Sequence, residues 1–348
     1  MQPISELRQD IVSGDWVVIA VGRSHRPHAG KKNSLFKQPA RLCPFKELAE
    51  PLVLYTHDGA HEALSRSAAS WHPCTSRIRG AEWWVVVVPN KYPAFFSKGV
   101  CAVFRAKGPY RLTDGVGFHE VVITKDHERS IAEMSDEEVE LVLRAYQDRY
   151  LALKKDDCVK YISVFHNHGR EAGATISHPH SQIIAVPIIP SDVGRSLKGA
   201  SDFFHKHKQC VHCVILEYEM KIKERIVYEN DACIVVTPYA SRTAFELRIY
   251  PKRHNAYFEE IPSGERRALA NALRITLAKL YGGLENPDYN FFLHTAPIEG
   301  SKEFGHYHWH FEILPKTSVW AGFEIGTGIE IAVVTPEEAT EMLRKIKV

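Results

Sequence analysis

The sequence predicts an α+β fold built twice over. Two observations carry that expectation. Each half of the chain surrounds one long helical pattern with strand-like segments, and the halves repeat one another in order. "GFHEVVITKDH" (117–127) aligns without gaps on "AFELRIYPKRH" (244–254), both strand-like and both ending in histidine. "CPFK" at Cys43 precedes the first as "CVHC" at Cys210 precedes the second, and "VVVVPNKYPAF" corresponds to "CIVVTPYASRTAF". His127 and His178 recur at almost the spacing of His254 and His306. Chance could give one such pairing; a series in the same order is a duplication, with halves at 1–190 and 191–348.

Each element has its own signal. "WWVVVVP" from Trp83 reads as a buried strand, far too short to span a bilayer. "SDEEVELVLRAYQDRYLAL" opens with Ser135 as N-cap and Glu138 three residues on, a capping box, and "SGERRALANALRITLAKLY" opens similarly at Ser263. After each helix comes a short strand, "KYISVFHNHG" or "YNFFLHTAP", and then a histidine cluster. "KKNSLFKQPAR" is polar and reads as loop, while the link from Pro190 to Gln209 is expected to be partly helical.

Composition bounds the function. The chain has 348 residues with ordinary hydrophobic (45%) and charged (25%) fractions, as soluble globular proteins do. A net charge of +2 gives no field that would argue for nucleic acid, and no segment argues for a membrane. The start, "MQPISELRQDIVSGDW", lacks the apolar core of a secretory signal. Seven cysteines spread over this length are not a disulfide scaffold, so a cytoplasmic protein with thiols available for metal is expected. The outlier is histidine, at 19 residues.

In "ISHPHSQII" strand alternation projects His178, His180 and Gln182 to one side, and in "GHYHWHFEI" it does the same for His306, His308 and His310. Burying several imidazoles is costly unless they bond ligands or a metal. Cys210, Cys213, His254 and His306 occupy matching slots of the second repeat, and two thiolates with two imidazoles make a closed zinc shell. The first repeat offers Cys43, His127 and His178, with Lys46 where a second cysteine would stand. A three-ligand remnant, recruitment of Glu47 or another cysteine, and an empty site all remain open. The second cluster is the complete three-histidine alternation, which on its face suits a triad hydrolase.

"HPHSQ" preceded by "NHGREAGATIS" resembles the active-site segment of the galactose-1-phosphate uridylyltransferase family, the transferase branch of the histidine-triad superfamily. The resemblance runs from "DWVVIAVGRSHRPHAG" through "CPF", "VVVPNKYPAF" and "HEVVITKDH" to "HWHFEILP" and "AGFEIGTG". It implies a duplicated histidine-triad-like fold in which two antiparallel-sheet-plus-helix halves form one extended sheet core. It also implies ping-pong transfer: His180 attacks the α-phosphorus of a nucleotide sugar, expels the sugar 1-phosphate, and passes the nucleotide to a second sugar phosphate. Gln182, standing where hydrolytic relatives have a third histidine, can hydrogen-bond a phosphoryl oxygen but cannot protonate a leaving group. Ser181 is expected near the phosphates through its amide or hydroxyl, and His178 beside the nucleophile.

Further roles come from the same resemblance. Arg23 and Arg26 match phosphate-binding arginines, whose planar forks suit a diphosphate. Asn90 and Tyr92 match the nucleoside pocket, Asn167 a phosphate contact, and Gly173 a close backbone approach to phosphate. Glu324 matches the acceptor for hexose hydroxyls, with Phe323 packing on the ring; Ser318 stands where a lysine is expected. Related transferases with paired zinc sites use the slots of Cys210, Cys213, His254 and His306. A third metal held by a glutamate and three histidines would fall on His294, His308 and His310, but Ser196 stands in the glutamate's place. Family members are commonly homodimers. The first expectation is a UDP-glucose:galactose-1-phosphate uridylyltransferase with zinc; the alternatives are an ADP-glucose phosphorylase of the same fold and a non-enzymatic nucleotide-binding protein.

Overall fold

A computed structural model describes residues 5–25, 36–46, 48, 51–56, 61–63, 83–97, 99–298 and 303–348. In chain order the strands are β1 (Glu6–Gln9), β2 (Trp16–Ile19), β3 (Val53–Thr56), β4 (His61–Ala63), β5 (Trp83–Pro89), β6 (Arg105–Lys107), β7 (Tyr110–Leu112), β8 (Phe118–Thr124), β9 (Tyr161–His168) and β10 (His180–Val186). They continue with β11 (Ile226–Glu229), β12 (Cys233–Val236), β13 (Leu247–Pro251), β14 (Tyr289–His294), β15 (His310–Pro315) and β16 (Ile331–Ala332). The described helices are α1 (Asp136–Leu153), α2 (Ser191–His207), α3 (Val211–Ile222), α4 (Ser263–Gly283), α5 (Gly322–Thr327) and α6 (Pro336–Lys345).

Eleven strands form one sheet in the order β11-β12-β13-β15-β14-β9-β10-β8-β5-β3-β4. At its centre β9 and β14 pair antiparallel, with Asn167 opposite Asn290. Outward from that seam the two sides follow the same order. β10, β8, β5 and β3 on one side answer β15, β13, β12 and β11 on the other. This is a mixed α+β molecule with a large antiparallel sheet, as the sequence pattern implied.

Helices α1 and α4 pack across one face of the sheet. Their apolar stripes, including Val142, Tyr146 and Tyr150 of α1 and Leu269, Leu273 and Leu277 of α4, share a core with Ile183, Leu247, Phe291 and Phe311. Each such side chain contributes about 1.5–3 kcal/mol on burial, which makes this layer the main stabiliser of the sheet. The capping box at Ser135 is present: Glu138 N–H donates to Ser135 Oγ (3.2 Å) and Ser135 N–H donates to the Glu138 carboxylate (2.8 Å). Ser263 differs from its expectation. It is the first residue of α4, after Pro262, and makes no side-chain cap.

Strand β16 pairs parallel with β2, so the end of the chain closes on its beginning. Cys101 and Cys158 are joined in a disulfide, whereas Cys43, Cys210, Cys213 and Cys233 carry free thiols. The expectation of thiols free for metal therefore fails for this pair, whose Cα atoms the fold brings to 4.8 Å across 57 residues of sequence. Among the described residues no helix is long and apolar enough to cross a membrane.

Candidate active site

Strand β10 lies between β8 and β9, and its alternation sorts the "HPHSQ" side chains. His180 and Gln182 take the face away from α1; Ser181, Ile183 and Ala185 are buried on the helix side. The hydroxyl of Ser181 is accordingly enclosed, hydrogen-bonded to Tyr146 Oη (2.5 Å) and to His166 Nδ1 (3.0 Å). The expectation that this hydroxyl reaches the phosphates is corrected by the pleat: the strand neighbours of His180 point away from it.

The His180 ring is fixed by one backbone bond. Its Nδ1–H donates to the carbonyl of His178 (2.8 Å), which leaves Nε2 with its lone pair. Burial pushes its pKa below the ordinary histidine value, against the opposing effect of that hydrogen bond. The ring is therefore neutral at neutral pH. Phe45, from the turn that follows Cys43, packs edge-on against both His178 and His180 (centroids at 5.4 and 5.1 Å) and shields them.

Gln182 is held by a residue the sequence reading passed over. Ala94 N–H donates to His119 Nδ1 (3.2 Å), and His119 Nε2 lies 2.7 Å from Gln182 Oε1. Asn90 belongs to the same group, with its amide nitrogen 3.0 Å from His119 Nε2 and its Oδ1 accepting from Tyr92 N–H (2.8 Å). Tyr92 itself is exposed. On the other side Asn167 Oδ1 accepts from Asn290 Nδ2 (2.8 Å), which also donates to the Ala172 carbonyl (2.8 Å). The signal for His119 was its place on β8: His119 and Val121 share the face that Gln182 shares across the β8/β10 ladder. For Asn290 there was none, because the β9/β14 seam joins segments more than a hundred residues apart.

The glycine loop between Asn167 and His178 is conformationally fixed. Gly169 has φ +83°, and a Cβ there would meet the Asp288 carboxylate at 1.9 Å; Gly173 has φ +86° and faces open space. Gly173 thus combines a backbone that other residues adopt poorly with room for a ligand. A cleft lined by Lys37, Gln38, His127, Asn167, His178 and Asp288 runs beside this loop.

Among the described residues, no hydrogen bond joins the other expected ones to His180. Arg23 lies in the 3-10 turn Val21–His25, and no hydrogen bond of the described residues joins it to β10. Arg26 and Glu47 lie outside the described residues. Phe323 and Glu324 sit on α5, where Glu324 accepts Ala321 N–H (3.1 Å) and Phe323 is half exposed.

Among the described residues, two of the three metal-ready groups contain cysteine. Cys210, Cys213, His254 and His308 place their ligand atoms within 4.8 Å of one another. Cys213 Sγ lies 3.3 Å from His254 Nδ1 and 3.6 Å from His308 Nδ1. The outer nitrogens donate to the carbonyls of Gly305 (2.8 Å) and Pro251 (2.9 Å), so both Nδ1 lone pairs face the sulfurs. Two soft sulfurs and two imidazoles so oriented fit zinc. The fourth member is His308, not the expected His306. His306 lines the depression above the cysteines, with its Nε2 buried and unpartnered. The repeat register explains the difference. His308 donates to Pro251 as His178 donates to Thr124 (2.7 Å), and His310 donates to His308 as His180 donates to His178.

The first group is Cys43, His127 and His178. His127 and His178 give their Nε2–H protons to the carbonyls of Gln38 (2.8 Å) and Thr124 (2.7 Å), yet their Nδ1 atoms stand 3.1 Å apart. Two lone pairs at that distance require a cation or a shared proton between them, so the three residues fit a metal despite Lys46.

The same register corrects the third metal set. His308 is committed to the cysteines, and the group that forms is His294, His310 and Glu312. It also disposes of a hydrolytic second half. Glu312 stands where the first half has Gln182, 3.5 Å from His310 Nε2, buried in a cluster with Arg248 (3.1 Å) and the partly buried Arg242. Burial opposes ionisation there, but Arg248 and Arg242 hold the Glu312 carboxyl well below its usual range. A carboxylate at that position repels phosphate.

Models of the galactose-1-phosphate uridyl transferase N-terminal and C-terminal domains match residues 74–190 and 195–347. The chain belongs to the galactose-1-phosphate uridyl transferase family. Within that family it is 32% identical to the galactose-1-phosphate uridylyltransferase of Thermotoga maritima over 77% of this chain and 86% of the relative. It is 30% identical to the ADP-glucose phosphorylase of Arabidopsis thaliana over 98% of this chain and 93% of the relative. The crystal structure of an Arabidopsis ADP-glucose phosphorylase with bound ADP-glucose matches with a TM-score of 0.79 at 28% identity, covering 99% of this chain and all of that one. A uridylyltransferase structure matches at 0.72 and 26% identity, covering 98% and 97%. As a member of this family the chain is a nucleotidyltransferase of the hexose-phosphate type.

Proposed function

We propose that the chain transfers a nucleoside monophosphate between a nucleotide sugar and a phosphate-bearing acceptor through a nucleotidyl-His180 intermediate. One observation carries this: the His180 Nδ1–H bond to the His178 carbonyl, which presents a neutral Nε2 lone pair beside the Gln182 amide. In the first step Nε2 forms a bond to the α-phosphorus and the bond to the sugar 1-phosphate oxygen breaks. The leaving phosphate keeps the electron pair without a proton, which suits a site where glutamine replaces a general acid. In the second step an acceptor phosphate oxygen attacks the same phosphorus and frees His180. Amides from Gln182 and Asn167, with backbone near Gly173, stabilise the phosphoryl oxygens in this reading. Zinc at Cys210, Cys213, His254 and His308, and a metal at Cys43, His127 and His178, would cross-link the loops that carry the strand. The latter residues leave the His178 carbonyl to orient the nucleophile.

The first reading of the substrates is UDP-glucose with galactose 1-phosphate. The second is ADP-glucose with inorganic phosphate, favoured by similarity to an ADP-glucose phosphorylase over nearly the whole chain. Intermediate trapping tests both. Protein incubated with labelled UDP-glucose or ADP-glucose, without acceptor, is expected to gain one nucleoside monophosphate by mass. Discharge of a uridylyl adduct by galactose 1-phosphate supports the first, and discharge of an adenylyl adduct by phosphate supports the second. An adduct that survives His180→Ala would overturn the assignment of the nucleophile.

A further inference from the structure

We propose that His119 and Asn290 are positioning residues. Each captures the side-chain carbonyl of a neighbouring amide and so leaves that amide's NH2 group to face the phosphoryl position. The inference rests on the nucleotidyl-transfer reading for its catalytic consequence, but its geometry stands on the hydrogen bonds alone.

An amide side chain presents an acceptor at one end of its fork and two donors at the other. Reversed, Gln182 or Asn167 would aim an oxygen at the phosphoryl oxygens and repel them. Asn290 settles Asn167 directly. Its Nδ2 touches two acceptors, Asn167 Oδ1 and the Ala172 carbonyl, so it must be the NH2 end and Asn167 must show it an oxygen. For Gln182 the orientation turns on the His119 tautomer, which the Ala94 and Gln182 contacts assign against a competing donor from Asn90. Backbone N–H groups only donate, so the bond from Ala94 N–H requires a lone pair on His119 Nδ1. A neutral ring then carries its proton on Nε2, which points at Gln182 Oε1 at 2.7 Å. Asn90 Nδ2, a donor because its Oδ1 accepts from Tyr92 N–H, lies 3.0 Å from the same nitrogen and competes for it; the fixed backbone bond from Ala94 and the shorter Gln182 contact assign the proton to Nε2. Neither residue is placed to touch the reacting phosphorus; both act through their amides.

Long-range proton–nitrogen NMR of the histidine rings tests the orientation without any substrate. His119 is expected as the Nε2–H tautomer, and an Nδ1–H ring overturns the inference. Single-turnover adduct formation tests the consequence, with folding of each variant checked by thermal unfolding. His119→Ala is expected to slow it about 10-fold and Gln182→Ala about 10²-fold, as for loss of an orienting group and of an oxyanion donor. The double variant is expected to be no slower than Gln182→Ala alone, because His119 has nothing left to orient. Additive losses would mean that His119 acts elsewhere, which also overturns the inference. Asn290→Asp, which turns Asn167 by presenting acceptors only, is expected to slow transfer by a similar factor while the Nε2–H signal of His119 persists. If the wild-type chain gains no nucleotide from either sugar, the transfer reading fails, and the tautomer still decides the orientation.

Discussion

At the scale of single residues, the site separates chemistry from support within three consecutive positions of β10. His180→Ala is expected to remove adduct formation by more than about 10⁴-fold, measured as mass gain from the labelled nucleotide sugar. Ser181→Ala is expected to leave that rate intact and to lower unfolding free energy by about 1–3 kcal/mol in urea titration, since Tyr146 and His166 lose a buried partner. The pH dependence has a definite sign. Because burial lowers the His180 pKa, Nε2 is free at neutral pH, and the single-turnover rate should stay level as pH falls past 6.5, the ordinary value, before dropping with one proton. A fall centred at 6.5 or above would contradict the burial argument. His166 acts on stability in the same direction. Burial, then the neighbouring His168 and His180, hold its pKa well below 6.5, so the unfolded chain binds the proton first. Its contribution is present above about pH 6.5 and is lost as pH falls through the depressed folded value.

At the scale of elements, the metal-ready groups are made by loops delivered to strand ends. The decisive test is between two histidines of one segment. His308→Ala is expected to lower the zinc content measured by atomic emission, whereas His306→Ala is expected to leave it unchanged. Chelation of the metal should lower the midpoint of thermal unfolding, because the cysteine turn before α3 loses its link to the β13 and β15 ends. Much of this scale was legible in the sequence. Strand alternation placed His180 with Gln182, and the capping box at Ser135 marked the start of α1 to the residue. The register of the second histidine cluster was not legible. His306, His308 and His310 alternate identically on paper, and only the backbone carbonyls of Pro251 and His308 say which one answers His178. The Cys101–Cys158 pairing was hidden for a similar reason, since spacing alone names no partner.

At the scale of the whole molecule, the seam between β9 and β14 makes the two sides of the sheet one folding unit. A fragment ending at residue 190 would expose the β9 edge and strip α1 of its α4 neighbour, including the Arg266–Glu140 bridge (2.6 Å). Such a fragment is expected to show no cooperative unfolding by circular dichroism, and the complementary fragment, co-expressed, is expected to restore it. The overall class was readable because it is written in local periodicity. The seam was not, because Asn167 and Asn290 meet through sheet order rather than through any pattern nearby in sequence. The replacement of glutamine by glutamate between the two answering strands has a consequence of another kind. On the β10 side a change at Gln182 is expected to leave the core intact and to slow transfer. On the β15 side a change at Glu312 takes a buried carboxylate from Arg248 and Arg242, leaving them Glu246 and Asp10, and is expected to weaken the fold. A mutational scan that scores cellular abundance apart from turnover would therefore divide along the seam, with slow but well-populated variants clustering at one glutamine and degraded ones at its acidic counterpart.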